Sequence, residues 1–379
     1  MSDSLLAIEI GATKLQLAVG DSAGRIHARV KMQVRRDQGA AGIRAQIAEG
    51  VKTLAREHRW RSVGVGFGGP SNWTTGNVAC SLQVGGWNDF ALGDWLRELC
   101  AAPVHIDNDS NVAALAEAVV GAAAAKAAMP AADPVFYTNS GSGVGGGLVT
   151  LGRIYHGAVP GECEFGHIRL ERNRPDGSPG ATVQDRCCGW AVDAKIRDAI
   201  QRGEPTILRE LIAAISTPSA APLPLREGQG EGRASSNLVP SVSPATSGDS
   251  PPTPGVSPGT PGTPGTPGGE ARFLASALHQ GDAVAARILR ETADDLAFGL
   301  SHVVHLFHPQ AIVLGGGLAL IGEPWRAAVA AALPTYLMSA FQPGPRVLLS
   351  ALGEDVVPVG ALLLAAREGE SWRFMNGDW

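Results

Sequence analysis

The 379-residue sequence has no long uncharged apolar run, no long basic run and few cysteines. The alanine-rich stretch 112–128 contains Glu117 and Lys126, so a soluble helix is expected there and not a membrane span. Five scattered cysteines argue against a disulfide framework. The net charge of −5 argues against nucleic acid as a partner. The N-terminus lacks the basic region of a signal peptide, so we expect a cytoplasmic protein.

The composition is otherwise that of a globular protein, with 44% hydrophobic and 18% charged residues. Its length exceeds one ordinary domain and predicts two lobes. Residues 216–270 differ sharply, because they hold 12 of the 26 prolines and end in repeated Gly-Thr-Pro. Such a segment has little apolar surface to bury, which predicts a disordered insert. The alternative is a proline-rich segment that docks a partner.

Three apolar strand patterns end in glycine turns that begin at Gly11, Gly141 and Gly315. Turns without bulky side chains let backbone N–H groups approach phosphate oxygens. The hydroxyls of Thr13 and Ser142 could bind the same anions, and Lys14 could neutralise their charge. Each turn alone is more typical of ordinary structure than of a phosphate site, since glycine often follows a strand.

A fourth strand pattern, 103–106, is followed by Asn108 and Asp109 and then by a predicted helix over 111–126. A carboxylate at this place could simply cap the helix. It could also act as the base for phosphoryl transfer, which needs alignment and charge neutralisation more than covalent chemistry. The sequence has no P-loop, and the G-x-G-x-x-G letters at 141–146 lead into a strand, so a dinucleotide-binding fold is not expected.

Taken in order, these motifs resemble the ROK family of repressors, open reading frames and sugar kinases. The resemblance covers nearly the whole chain outside the insert and depends on six segments: 9–14, 68–70, 107–111, 141–147, 164–167, and His308-Pro309 before 315–317. It implies an α/β fold of the actin-like ATPase (ribonuclease H-like) type, with sugar and ATP between two lobes. The first lobe would be 1–125, completed by a helix in 356–379, and the second lobe 126–355.

The resemblance also implies the activity, the phosphorylation of a hexose hydroxyl (O6) by ATP and Mg²⁺, with Asp109 as general base. Glu9 would lie near the metal and its waters. The residues implied to bind sugar are Gly69, Asn108, Asp109, Glu164 and His167. Those implied to bind the nucleotide are Gly11, Ala12, Thr13, Lys14, Gly141, Ser142, Gly143, Gly315, Gly316 and Gly317. The family commonly forms homodimers, and related enzymes use polyphosphate as donor. The alternative function is a non-catalytic sugar sensor, although a first turn at Gly11 leaves no room for a preceding DNA-binding domain.

Many relatives carry a cysteine-rich zinc motif that ends in a sugar-binding glutamate, and this sequence departs from it. Aligned on Cys188, the first cysteine position is Arg186, the third is Asp193 and the glutamate position is Lys195. We therefore expect no structural zinc site, with apolar packing by Trp190 and Val192 in its place. The alternative is a zinc site formed by His167, Cys187, Cys188 and Asp193.

Overall fold

The computed structural model describes residues 4–11, 13–81, 84–126, 130–159, 163–216 and 269–367. Most of the predicted disordered insert, 217–268, therefore lies outside the described residues. So do Ala12, one of the predicted nucleotide-binding residues, and the end of the chain, 368–379.

The first sheet has five strands in the order β3-β2-β1-β4-β7. Its strands are β1 (Leu5–Ile10), β2 (Lys14–Gly20), β3 (Ile26–Gln33), β4 (Val63–Phe67) and β7 (Val104–Asn108). β1 and β2 form an antiparallel hairpin, whereas β4 and β7 run parallel to β1. The carboxyl ends of β1, β4 and β7 therefore meet at one edge, where Glu9, Gly68 and Asn108 lie near one another.

The elements that accompany this sheet are a two-stranded hairpin and three helices. They are β5 (Ser71–Asn72), β6 (Asn77–Val78), α1 (Gly39–Leu54), α2 (Leu92–Cys100) and α3 (Asp109–Val119). The predicted helix over 111–126 is corrected at both ends, because α3 starts at Asp109 and its last residue is Val119. The Asn108 side chain caps α3 by accepting a hydrogen bond from Ser110 N at 2.9 Å, so Asn108 and not Asp109 is the N-cap.

The second sheet also has five strands, in the order β10-β9-β8-β11-β12. Its strands are β8 (Val135–Ser140), β9 (Val144–Thr150), β10 (Arg153–Ile154), β11 (Ala311–Gly315) and β12 (Arg346–Leu349). The run of glycines after β8 was predicted to be one turn, but Gly145, Gly146 and Gly147 belong to β9. Only residues 141–143 form the turn. The expectation that this G-x-G-x-x-G leads into a strand is confirmed.

Seven more helices are present in the described part of the chain. They are α4 (Val183–Cys187), α5 (Gly189–Gln201), α6 (Leu208–Ser216), α7 (Leu274–His279), α8 (Ala283–Phe307), α9 (Glu323–Ala332) and α10 (Val356–Ala366). α10 is apolar on nearly every face and packs against β1, β4 and α3, which buries it beside the first sheet. The lobe boundary near residue 125 stays a prediction. Among the helices described, none is both long and apolar enough to cross a bilayer.

Candidate functional site

A cleft lies between the two sheets, lined by segments from both. The first sheet contributes residues 68–70 and 108–110, and the second contributes Asn139 and 141–146, followed by Glu164, His167 and Gln184 from the helical layer. The structure thus brings together eight of the predicted site residues: Gly69, Asn108, Asp109, Gly141, Ser142, Gly143, Glu164 and His167.

Asp109 is the first residue of α3 and is half-buried beside this cleft. The pKa of its carboxyl is raised to about 6, chiefly by burial and also by the nearby Glu164 charge, while hydrogen bonds from Ser110 oppose the shift. A methyl group at Gly68 would lie 3.3 Å from Asp109 Oδ2, so this oxygen faces the glycine turn after β4. A carboxylate with this pKa is ionised at neutral pH and can accept a proton.

Asn108, Glu164 and His167 surround the same space with hydrogen-bonding groups. Besides capping α3, Asn108 donates from Nδ2 to Gly69 O at 3.4 Å. Glu164 and His167 lie on either side of a short 3-10 helix, with 3.8 Å between His167 Nε2 and Glu164 Oε2. Both side chains are about half exposed, so they remain accessible to a polar ligand.

The β8–β9 turn, residues 141–143, is braced from the helical layer. Gly141 N donates to Gly143 O at 2.9 Å, and Gly189 N, at the start of α5, donates to Gly141 O at 2.8 Å. Gln184 Oε1 accepts from Val144 N at 3.1 Å. These bonds leave Ser142 exposed at the tip of the turn, where its hydroxyl and backbone can meet an anion.

The β1–β2 turn adjoins the cleft through Gly68, whose N–H donates to Ile10 O at 2.9 Å. Gly11 N donates to Lys14 O and closes this turn, which leaves Thr13 exposed. Lys14 Nζ donates to Glu354 O at 3.1 Å and lies 3.8 Å from Glu9 Oε2. The predicted phosphate-binding lysine is thus close to the cleft but held beside Glu9.

Glu9 lies at the end of β1, and its side chain is 13% exposed. The pKa of its carboxyl is raised to about 7, chiefly by burial and also by the Asp109 and Glu354 charges. Lys14 and a 2.6 Å hydrogen bond from Gln16 Nε2 oppose the shift. Glu9 is therefore a carboxylate that would be stabilised by further positive charge.

The third glycine turn, 315–317, packs directly against the strand that leads to the β8–β9 turn. A methyl group at Gly315 would meet the Tyr137 hydroxyl at 2.1 Å, and one at Gly316 would meet Ser140 N at 2.6 Å. Gly316 also has a φ of +78°, which favours glycine. Gly316 and Gly317 are exposed, so this turn can form an extension of the cleft.

The segment that departs from the zinc motif is held in place by hydrogen bonds and apolar contacts. Cys187 and Cys188 are buried, and burial raises the pKa of both thiols, that of Cys188 to about 12. Asp193 accepts hydrogen bonds from Gly269 N and Ala271 N at 2.8 and 2.7 Å.

Val192 is buried as expected, but the prediction for Trp190 is wrong, because it is 42% exposed. Lys195, at the glutamate position, donates to Thr292 Oγ1 at 3.0 Å and lies 3.4 Å from Asp295 Oδ2. The described residues contain no cluster of three or more potential metal ligands from His, Cys, Asp or Glu. The expectation of no zinc site stays a prediction.

A buried link between the two sheets was not predicted from the sequence. His156, which follows β10, lies with Nε2 2.7 Å from Asp107 Oδ2, and both side chains are less than 5% exposed. The His156 ring stacks on Trp73, with centroids 4.4 Å apart. Asp107 Oδ1 accepts from Asn108 N and Asn111 Nδ2. This link anchors the segment that bears Asp109. The sequence signal that could have indicated it is the acidic residue two positions before Asp109.

Comparisons with known proteins agree with this architecture. The model of the ROK family matches residues 5–228 and 268–368. A glucokinase of Halalkalibacterium halodurans is 27% identical over 377 residues, covering 98% of each chain. The structure of a ROK family glucokinase from Streptomyces griseus, in complex with glucose and AMPPNP, is 24% identical and has a TM-score of 0.71, covering 96% of this chain and 99% of that one.

A ROK family transcriptional regulator, a homologue of the E. coli MLC protein, has a TM-score of 0.69 at 19% identity, with 96% of this chain and 78% of that one covered. Kinases and regulators of one family thus share this fold. Since the family model matches most of the chain, the protein belongs to the ROK family and has the actin-like ATPase fold.

Proposed function

We propose that this chain is an ATP-dependent sugar kinase that transfers the γ-phosphoryl group to a hexose hydroxyl, O6, with Asp109 as general base. The observation that carries this proposal is the position of Asp109, a half-buried carboxylate with a pKa of about 6 in one cleft with the β8–β9 glycine turn. The glucokinase relatives, similar over nearly their full length, support it.

In the proposed reaction the sugar hydroxyl attacks the γ-phosphorus. The O–H bond breaks and its proton moves to Asp109 Oδ2, while a new bond forms between the sugar oxygen and phosphorus. The bond between the γ-phosphorus and the β–γ bridging oxygen breaks, and ADP leaves with that electron pair. Asp109 suits this role because Oδ2 faces the cleft and its pKa lies below neutral pH, near enough for efficient proton transfer.

Gly69, Asn108, Glu164 and His167 would hold the sugar. A carboxylate accepts hydrogen bonds from hydroxyls, whereas an amide and an imidazole can both donate and accept, and these residues line the cleft around Asp109. They would align the reacting hydroxyl with Asp109 Oδ2. Such alignment is the larger part of catalysis in phosphoryl transfer.

The turns 141–143 and 11–14 would bind the phosphates, and 315–317 the adenosine side. A Mg²⁺ ion fits beside Glu9, because this desolvated carboxylate has a pKa raised to about 7 and Mg²⁺ needs only one or two protein carboxylates when phosphates and waters complete its shell. The ion would neutralise charge on the phosphates. Lys14, close to Glu9, would add a second positive charge.

The test is ADP release by the purified full chain with MgATP and a panel of glucose, fructose, mannose, N-acetylglucosamine and N-acetylmannosamine. Sugar-dependent ADP release is expected, with the phosphate on O6 of the product by NMR. Polyphosphate replaces ATP in a parallel series. If no sugar supports turnover with either donor, while a sugar still raises the melting temperature, the chain is a sugar-binding sensor and the proposal is wrong.

A further inference from the structure

A chain of hydrogen bonds connects the Asp109 carboxylate with the second sheet. Ser110 Oγ donates to Asp109 Oδ1 at 3.2 Å, and Asn139 Nδ2 donates to Ser110 Oγ at 3.0 Å. Gly145 N, in β9, donates to Asn139 Oδ1 at 3.1 Å. Asp109 and Ser110 begin α3, whereas Asn139 and Gly145 flank the β8–β9 turn. The base is thus linked to the turn proposed to bind phosphate.

The direction of every bond in this chain is fixed by one backbone donor. The Gly145 N–H can only donate, so the atom of Asn139 that faces it must be the carbonyl oxygen. The amino group of Asn139 therefore faces Ser110 and occupies a lone pair of its hydroxyl. The hydroxyl hydrogen is then left to point at Asp109, and it favours the ionised carboxylate.

The packing keeps these groups in place. Ser110 is 3% exposed, and a methyl group at Gly145 would come within 2.3 Å of Ser110 Oγ. Glycine at position 145 is therefore required for the serine hydroxyl to sit against β9. Thr138 Oγ1 donates to Gly145 O at 2.9 Å and fixes the same part of the hairpin.

The two oxygens of Asp109 are consequently not equivalent. Oδ1 is occupied by the Ser110 hydroxyl, whereas Oδ2 lies against Gly68 at the cleft. A carboxylate held by one oxygen cannot rotate freely, and near-attack geometry in phosphoryl transfer depends on such restraint.

We propose that Ser110 and Asn139 are positioning residues that fix the rotation of the Asp109 carboxylate and tie it to the β8–β9 turn, so that base and phosphate are aligned together. This proposal rests on the proposed kinase function of the same site. It assigns to the Ser110 and Asn139 side chains a role that is exerted through the Asp109 carboxylate.

The test is a double-mutant cycle in the full chain with MgATP and whichever sugar of the panel gives the fastest turnover. Ser110→Ala should lower kcat by about 10- to 100-fold with little change in the sugar KM, because alignment and not binding is lost. The acid limb of the kcat/KM profile should move to higher pH, since the Ser110 hydrogen bond lowers the Asp109 pKa. The charged neighbours Glu164 and Glu9 are retained in every variant.

Asn139→Ala should lower kcat by about 3- to 10-fold. The acid limb should again move to higher pH, by less than in Ser110→Ala. The double variant should be about as slow as Ser110→Ala alone, because Asn139 acts through the serine hydroxyl. The matched control is Ser301→Ala, which removes a buried hydroxyl that donates to Phe298 O in α8, far from the cleft in sequence. It should leave kcat and the pH profile unchanged.

Wild type and Asp109→Asn are measured in the same series. No turnover by wild type would mean that the kinase function itself is wrong. If wild type turns over and Asp109→Asn abolishes turnover, the kinase function stands. An unchanged acid limb in Ser110→Ala, or strictly additive effects of Ser110→Ala and Asn139→Ala, would then overturn this proposal alone. If Ser110→Ala does not fold, the pH profile of Asn139→Ala is used instead. An acid limb at higher pH supports the proposal, and an unchanged acid limb overturns it.

Discussion

Glu9, near the end of β1, and Asp109, directly after β7, are carboxylates on either side of β4 in the first sheet, and burial raises the pKa of each, to about 7 and about 6. Their partners differ. Glu9 is held by Gln16 and lies near Lys14, both from its own hairpin. Asp109 is held by the Ser110 hydroxyl and is connected through Asn139 to the second sheet. One carboxylate has local partners, and the other is built into the junction between the sheets.

This difference indicates a division of roles. A carboxylate beside a lysine at the sheet edge suits the binding of a hydrated cation, which brings its own charge. A carboxylate with one restrained and one open oxygen suits the receipt of a proton at a defined place. The following predictions test that division, beginning with the largest expected effect.

Asp109→Asn should lower kcat by at least about 100-fold, because the amide cannot accept the sugar proton. The same change should stabilise the fold at pH 7.5 by about 1–3 kcal/mol, since a raised pKa means that the ionised carboxylate is disfavoured in the folded state. The free energy of unfolding of the wild type falls by this amount as the pH rises from about 4, where the carboxyl of the unfolded chain ionises, to about 6. Activity and chemical denaturation are measured on the same sample. A fall in both activity and stability would contradict the account.

Glu9→Gln should raise the KM for MgATP by about tenfold and the Mg²⁺ concentration for half-maximal rate, while kcat falls less than in Asp109→Asn. The reason is the loss of the one carboxylate proposed to face the metal shell. Glu354→Gln is the matched control, because this nearby glutamate is exposed and paired with Lys31. Equal effects of the two changes would argue against a metal role for Glu9.

Breaking the buried pair of Asp107 and His156 should affect Asp109 indirectly. His156→Ala should cost about 2–4 kcal/mol of folding free energy, because it leaves a buried carboxylate without its partner. Activity at a temperature where the variant is folded should fall only a few-fold. His27→Ala, which removes an exposed histidine near Asp21, should change stability by less than about 0.5 kcal/mol. A normal melting curve for His156→Ala would show that the link is not a structural anchor.

The smallest effect is expected from removing part of the proline-rich insert. The family model does not match residues 229–267, and deleting them should leave kcat/KM within about twofold. Asp193→Ala, which removes the acceptor for Gly269 N and Ala271 N, should by contrast destabilise the fold by about 1–3 kcal/mol. A large loss of activity in a folded deletion variant would contradict this prediction.

Local patterns in the sequence predicted much of the structure. Four strands were expected and are observed: those that lead into the glycine turns at Gly11, Gly141 and Gly315, and the strand before Asp109. β3 was overlooked although Ile26–Gln33 alternates apolar and polar residues at every position. α9 was also overlooked, despite a proline at its start.

The contacts that join distant segments could not be predicted in the same way. His156 pairs with a residue 49 positions away, and Lys195 turns toward α8 through partners about 100 positions away. Neither spacing nor residue type indicates such pairs, because they depend on how the two sheets meet. The exposed Trp190 was mispredicted for the same reason, since its large apolar ring alone suggested burial.

The most direct test of the division between Glu9 and Asp109 is the pH dependence of kcat/KM in wild type and Glu9→Gln at saturating Mg²⁺. The account predicts an acid limb near pH 6 in both proteins, with activity falling about tenfold per unit below it, because Asp109 must be ionised to accept the proton. Loss of that limb in Glu9→Gln would identify Glu9 as the titrating base and contradict the account.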